Sequence, residues 1–261
     1  SHCYVLEYDD FDQLPGYLSS NVDHYGYNTG QPYNYQTVVN NFSNVQWDSL
    51  GLAHYNSRSS DFNFAKIGSL KKIIYPHGGR SELEYELHSY SQVLSDDRQS
   101  LINESGSIGG LRIKNIRDYK DQLTNFPTTI KSYKYVSNYA SGGSISSGIL
   151  GLKPKYHWVD WLSPTDEHPT GGYREDVFSV NNMLPMSNFF EAHIAYPEVT
   201  EVVNDSFYMT HKYTSHMEIK DELPYATLTF NQFSPYLNYN DKSFMRGKLK
   251  ESLYFDKSNA L

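Results

Sequence analysis

The chain has 261 residues, of which 24 are tyrosine, and a mean hydropathy of −0.63. So many aromatic residues exclude a disordered chain and are typical of strands whose faces are only partly buried. The formal net charge of −8 argues against a nucleic-acid partner, the single cysteine excludes an intrachain disulfide, and no window is apolar for long enough to span a membrane.

Residues 1–65 are predicted to be a loop-rich region with one strand, Cys3–Tyr8. Residues 66–136 are predicted to form a first set of hairpins. Within it, Leu83, Tyr85 and Leu87 alternate with three glutamates, which is the period of a half-buried strand. The pair Gly78-Gly79 before this strand supplies the positive φ of a tight turn.

The polar, Gly/Ser-rich run 95–110 predicts an exposed loop. We expect the strands that follow, 109–119 and 128–136, to pair as a second hairpin. Residues 137–190 are predicted to be a Gly/Pro/aromatic loop region. A second set of hairpins is expected over 191–261, with strands at Glu191–Val203, Phe207–Met217 and Arg246–Phe255.

Strands that follow one another without amphipathic helices predict an all-β architecture of antiparallel hairpins with long loops and at most short helices. We expect residues 1–261 to be one β-rich segment of a longer polypeptide. Its edge strands, Cys3–Tyr8 and Leu249–Phe255, are expected to be continued by the rest of that protein.

Asp23 and His24 are the metal-site candidates. A carboxylate beside an imidazole in a Gly/Asn-rich loop can bind a divalent cation, or the histidine can act as a general base. The alternative is structural: Asp23 and Asn28 bond turn amides while Tyr25 and Tyr27 pack against the sheet. No other cofactor is expected, apart from a structural Ca²⁺ at acidic pairs such as Asp9-Asp10 or Asp96-Asp97.

An aromatic cluster in the loop region is the ligand-binding candidate. Tyr156, Trp158, Trp161 and Tyr173 have the planar rings on which a sugar stacks, and the alternative is that they fill the core. A hydrolase that uses two carboxylates is a third hypothesis, and the acidic pairs that suggest it include Asp166-Glu167 and Asp221-Glu222. The dispersed histidines are expected at the surface: His157, His168, His193, His211 and His216.

Several segments together resemble the RHS/YD-repeat group, a family of large bacterial surface or secreted proteins. In chain order they read DHYGYNTG (23–30), GSLKKIIYPHGG (68–79), EYE (84–86), GGLRI (109–113), YKY (133–135), AYPEVTE (195–201) and RGKL (246–249). The run from Gly247 to Asp256 looks like the start of a YD-type repeat. Consecutive, evenly spaced YD repeats and the self-cleaving motif that ends many RHS shells are absent from the sequence.

The resemblance implies strips of hairpins that coil into a large curved sheet, which in the family encloses or presents other domains. It also implies a location at the cell surface or outside the cell, with adjoining domains of the same polypeptide as partners. The function predicted is therefore a non-enzymatic scaffold that presents other domains or mediates contact between cells. The alternative is a carbohydrate-binding module that contacts a cell-surface glycan through Tyr156, Trp158 and Trp161.

Overall fold

The computed structural model describes residues 3–33, 54–95, 97–162, 173–183, 192–223 and 239–256, without the side chains of 158–162 and 173–176. Strands predominate, and helix is confined to short elements such as α1 (Phe62–Ala65), which Asp61 caps by accepting a hydrogen bond from the Asn63 amide. None of the helices in these ranges has the length and apolar character needed to cross a membrane. The predicted all-β class is confirmed.

Twelve strands lie in the described residues. In chain order they are β1 (Val5–Tyr8), β2 (Leu70–Ile74), β3 (Arg80–Leu94), β4 (Leu101–Tyr119), β5 (Thr129–Lys134), β6 (Ile149–Leu150), β7 (His157–Leu162), β8 (Tyr173–Phe178), β9 (Ile194–Ala195), β10 (Glu198–Val203), β11 (Phe207–Tyr213) and β12 (Leu249–Asp256).

Ten strands form one open sheet, and eight of them follow the order β1-β2-β3-β4-β5-β10-β11-β12, in which all neighbours are antiparallel. The short strand β6 adds to it, parallel to β3 and antiparallel to β9. β7 and β8 form a separate antiparallel hairpin. The two ends of the path, β1 and β12, do not pair with each other in the part of the chain that the structure describes.

The longest ladder joins β3 to β4 and shifts its register at three places. The exposed loop predicted over 95–110 is wrong, because β4 begins at Leu101 and Ile108 is buried. Gly106 lies in this strand, opposite Tyr90. A Cβ atom at position 106 would come within 2.6 Å of the Tyr90 hydroxyl, so glycine leaves the space that the ring occupies. The glycine that indicates a loop in the sequence instead makes room for a cross-strand ring.

The other predicted hairpins are largely confirmed. Gly78 has a φ of 95°, and the Tyr75 amide donates to the Gly79 carbonyl across the turn between β2 and β3. β4 pairs with β5, and β10, β11 and β12 follow the predicted later strands, with β10 starting after Pro197. The loop region 137–190 is wrong in part, because it contains β6, β7 and β8.

The apolar core lies where β3, β4, β6 and β9 meet. Its buried members are Tyr90, Val93, Ile108, Leu150 and Ile194. Burying one aliphatic side chain contributes about 2 kcal/mol. Five buried residues therefore give only a small apolar core for a sheet of ten strands. Two half-buried tyrosines, Tyr25 and Tyr196, pack against it and lead into a polar interior.

Candidate functional site

Asp23 holds the turn over 23–30 together. It is 1% exposed, and its Oδ1 accepts hydrogen bonds from the amides of Tyr25 at 2.8 Å and Tyr27 at 2.9 Å. Its Oδ2 accepts one from the Ser60 hydroxyl at 2.7 Å. These are the turn contacts that the structural alternative to a metal site predicts, although Tyr27 is exposed rather than packed on the sheet.

The same carboxylate also fixes the turn to the sheet. Asp23 lies so close to Gly109 of β4 that a Cβ atom at that position would be 1.7 Å from its Oδ2. Only glycine allows this approach. The turn and β4 therefore approach each other closely at Gly109, where the predicted loop 95–110 and the predicted strand 109–119 overlap.

His24 is buried against tyrosine rings. Its Nδ1 is 2.9 Å from the Tyr156 hydroxyl, and its ring centroid is 4.2 Å from that of Tyr55. Burial, with help from the positive charge of Arg58 and from His54, lowers the pKa of His24 to about 3. Burial likewise raises the pKa of Tyr156 to about 12. At neutral pH both side chains are uncharged.

Arg58 brings a buried positive charge into this region. Its Nη1 donates to the Val180 carbonyl at 2.8 Å and its Nη2 to the Asp23 carbonyl at 3.2 Å. The guanidinium carbon lies 4.5 Å from the centre of the Tyr33 ring and 5.3 Å from that of Tyr156. Carbonyl dipoles and aromatic faces thus stabilise the charge.

Tyr196 is the centre of a second group of buried polar contacts. Its hydroxyl accepts a hydrogen bond from Arg112 Nη1 at 2.6 Å, donates to the Ser89 carbonyl at 3.1 Å, and is 3.0 Å from His88 Nδ1. Burial lowers the pKa of His88 to about 3, with smaller contributions from His193 and Arg112. The hydroxyl therefore has partners for both of its roles, donor and acceptor.

His193 joins the two halves. Its ring stacks on Tyr25 with a centroid distance of 4.2 Å, and its Nε2 lies 2.8 Å from the Gly109 carbonyl. We call the combined set the His/Tyr core. Its members are Asp23, His24, Tyr25, His54, Tyr55, Arg58, His88, Arg112, Tyr156, His193 and Tyr196.

The electrostatics of the His/Tyr core favour a structural role. Burial is the first cause of every shift there: it lowers the pKa of His24, His54, His88 and His193, and it raises the pKa of Tyr25, Tyr55, Tyr156 and Tyr196. General acid–base catalysis works best with a pKa near the operating pH. These shifts all move titration away from neutral pH.

The predicted metal site at Asp23 and His24 has no third ligand among the residues that the structure describes. Within the described ranges, no group of three His, Cys, Asp or Glu side chains is placed to hold a metal ion. Asp9, a candidate for structural Ca²⁺, forms an ion pair with Lys66 at 3.4 Å. Asp96, Asp166 and Glu167 lie outside the described residues, so the expectations for those acidic pairs stay predictions.

The predicted aromatic platform is only partly described. Tyr156 is 3% exposed and belongs to the His/Tyr core, so its ring has no free face for a sugar. Trp158 and Trp161 lie on β7 and Tyr173 lies on β8, but the side chains of all three are outside the described residues. Their role in carbohydrate binding stays a prediction.

A second buried polar group, the Asp221 network, lies apart from the His/Tyr core. Asp221 forms ion pairs with Arg98 at 2.6 Å and with Arg246 at 2.9 Å, and it also accepts from the Lys242 amide. Arg98 stacks on the Tyr239 ring, with 3.8 Å between the guanidinium carbon and the ring centre. None of these side chains was singled out by the sequence except Asp221, as half of an acidic pair.

His216 lies beside the Asp221 network and is buried, so the predicted surface position is wrong for this histidine. The reason is that it lies in the turn after β11, where His216 and its neighbour Ser215 are both buried while Met217 is exposed. Burial first, and then the charge of Arg246, lowers the pKa of His216 to about 3. It therefore adds no charge to this region at neutral pH.

The face of β2, β3 and β4 that carries the alternating glutamates lines a groove of about 940 Å³. Its charges are paired: Lys72 with Glu7 at 2.7 Å and Lys66 with Asp9 at 3.4 Å. Glu84 contacts Lys114 and Arg117 at 3.1 and 2.7 Å. The groove is a neutralised, solvated strand face and not a basic patch.

The chain matches no protein-family model, no curated protein and no solved structure in the comparisons made. The residues that sequence reasoning missed are Arg58, His88, Arg112, Tyr196, Arg98 and Arg246. No motif or spacing marks them, because their partners lie between 5 and 123 residues away along the chain.

Proposed function

We propose that the chain is a non-enzymatic structural segment of an exported bacterial protein resembling the RHS/YD-repeat group. In this role it extends a β-sheet together with adjoining strands of the same polypeptide. The order and spacing of the segments that resemble this family support the proposal. The expected location, at the cell surface or outside the cell, rests on the same resemblance.

The observation that carries the proposal is the pair of sheet edges that no further strand covers within the described ranges. β1 at one end of the sheet is flanked by exposed apolar side chains, among them Tyr4 and Leu6. β12 at the other end exposes Leu249 and Tyr254. Soluble proteins usually blunt such edges with charge, proline or a covering loop. Both edges carry exposed apolar side chains beside charged ones, and the apolar side chains suit these edges to receive a further strand.

The His/Tyr core gives the non-enzymatic part of the proposal its support. Its hydroxyl and imidazole groups bond to one another and to backbone carbonyls, and their pKa values lie away from neutrality. Such a core fixes loops onto a sheet without needing a ligand. A scaffold requires this kind of rigidity.

The test is self-association through the edges, measured by light scattering over increasing protein concentration. We expect the purified chain to dimerise weakly, because an open edge pairs with a second copy when its own partner strand is absent. Leu6→Lys on β1 and Tyr254→Lys on β12 each place a charge at an edge. We expect each to weaken association by about tenfold, which is about 1.4 kcal/mol.

Leu123→Lys is the matched control, because Leu123 is an exposed apolar residue in a turn between β4 and β5 and not at either edge. It should leave association unchanged. A chain that stays strictly monomeric at high concentration would contradict the proposal. The same holds for association that Leu123→Lys weakens as much as the two edge variants do.

A further inference from the structure

The edge strand β12 has a regular part that a further strand can extend. From Glu251 to Asp256 it runs opposite β11 without a register shift, and the shift in this ladder lies beyond, between Lys212 and Tyr213. The strand at the other edge, β1, has only four residues and a register shift of its own. β12 therefore offers the longer uninterrupted row of backbone groups.

Two hydrogen bonds at the end of β11 show how that strand alternates. The Tyr213 amide donates to the Pro197 carbonyl, beside β10, and the Thr214 amide donates to the Lys248 carbonyl, beside β12. Neighbouring amides of a strand point to opposite sides. The even-numbered residues of β11 therefore face β12, and its odd-numbered residues face β10.

The same alternation fixes which backbone groups of β12 point outward. Leu253 lies opposite Thr210, which faces β12, so Leu253 faces β11 in return. Its neighbours Ser252 and Tyr254 then point away from the sheet, and so does Asp256. Their amides and carbonyls are the groups that a further strand would meet.

The side chains of this stretch suit an antiparallel copy of the same stretch. Such a copy can place Tyr254, which is 78% exposed, opposite itself, so that two rings meet across the new ladder. Leu253 then lies opposite Phe255 on the other face of the sheet, and apolar side chains meet there. Ser252 lies opposite Asp256, whose carboxylate accepts hydrogen bonds from hydroxyl groups.

The two neighbouring registers form fewer hydrogen bonds. An axis at Leu253 pairs Ser252 with Tyr254 but puts Asp256 opposite Lys250, in the interrupted part of the ladder. An axis at Ser252 pairs only that residue, with itself, in the regular part. The axis at Tyr254 brings all three outward-pointing residues into register, and each such pair exchanges its amide and carbonyl bonds.

We propose that β12 pairs with β12 of a second copy of this chain, antiparallel and around a two-fold axis at Tyr254, so that two sheets become one. The inference rests on the proposed function, in which the sheet edges receive a further strand. A two-fold contact needs a surface that complements itself. The stretch from Ser252 to Asp256 does so, because apolar residues meet apolar residues and no like charges face each other.

The test is a cysteine scan along β12. Cys3 is the only cysteine of the chain, so Cys3→Ser gives a background without thiols. In that background Ser252→Cys, Leu253→Cys and Tyr254→Cys are oxidised in air with copper–phenanthroline, and covalent dimers are measured on non-reducing gels. We expect Tyr254→Cys to give the most dimer. Directly opposite residues of a hydrogen-bonded pair have Cα atoms about 5.5 Å apart, which a disulfide spans.

The outcomes separate this inference from the proposed function. More dimer from Ser252→Cys or Leu253→Cys would overturn the register. No covalent dimer from any of the three, while light scattering finds association, would overturn the choice of β12 and leave the proposed function standing. A chain that is monomeric by light scattering refutes both. Circular dichroism verifies the fold of each variant, and Leu6→Lys on β1 is the control, which should not change the yield from Tyr254→Cys.

Ser252→Lys and Ser252→Asp test the register without a cross-link. Both remove the hydroxyl that lies 2.9 Å from His211 Nδ1, so they match in what they lose. Opposite Asp256 a lysine attracts and an aspartate repels, once for each copy. By light scattering, we expect Ser252→Lys to associate about tenfold more tightly than Ser252→Asp. Equal affinities of the two variants would overturn the register.

Discussion

Two carboxylate–guanidinium networks in this molecule use the same chemistry at different depths. The side chains of Asp221, Arg98 and Arg246 are 0–2% exposed, whereas those of Glu84 and Arg117 on the β3–β4 ladder are 34% and 36% exposed. A solvated pair gains little because water already stabilises each charge. A buried network has lost that hydration, so removing one member leaves an uncompensated charge in the interior.

The largest expected effect comes from breaking the buried network. Asp221→Asn keeps the size of the side chain and removes its charge, so the buried guanidinium groups of Arg98 and Arg246 lose the carboxylate that they share. We expect the free energy of unfolding to fall by about 3–5 kcal/mol. Urea unfolding followed by fluorescence measures it. A loss no greater than that from Glu84→Gln would refute the contrast drawn between the two networks.

The next effect concerns the close approach of the turn at Asp23 to β4. In Gly109→Ala the new methyl group would meet Asp23 Oδ2 at 1.7 Å, so either the turn or the strand must move. We expect a loss of about 2–3 kcal/mol by the same unfolding assay. Gly16→Ala is the control, because nothing lies within 4 Å of a Cβ there. Equal stability of the two variants would mean that this contact is dispensable.

Buried histidines predict a stability that falls in mild acid. The folded state holds the pKa of His24, His88 and His216 at about 3, below the value of 6.5 in an unfolded chain. The unfolded state therefore binds more protons below pH 6.5, so stability is present above that pH and is lost as the pH falls toward 3. The slope approaches about 1.4 kcal/mol per pH unit for each histidine.

Urea unfolding at pH 7, 6, 5 and 4 measures this slope. The window between pH 6.5 and 4.5 isolates the histidines, because Glu84, whose pKa the Asn115 hydrogen bond lowers from 4.5 to about 2, contributes only below it. His88→Gln should reduce the slope in that window by about one fifth, because it is one of five histidines whose pKa the folded state lowers. Constant stability from pH 7 to pH 5 would show that these imidazoles are not buried.

The sequence predicted the glutamate face that carries the exposed network and missed the buried network for a physical reason. Alternation of Leu83 and Tyr85 with glutamates is a local pattern, and a strand with that pattern turns its charges to water wherever it lies. Asp221 and Arg98 are 123 residues apart, and nothing in either neighbourhood indicates the other. Glycine was misleading for the same reason: Gly106 and Gly109 indicate a turn locally, but the close neighbours that require them lie on distant segments.

The smallest effect is expected from the exposed network. Glu84→Gln removes the charge that faces Lys114 and Arg117 but keeps an oxygen to accept from Asn115. We expect a loss of about 0.5 kcal/mol at low ionic strength. It should shrink further in 1 M salt, where the Debye length is about 3 Å, while the loss from Asp221→Asn should persist, because salt does not reach a buried pair. If salt reduces both losses equally, then Asp221 is solvated, and the difference between the two networks is one of geometry and not of depth.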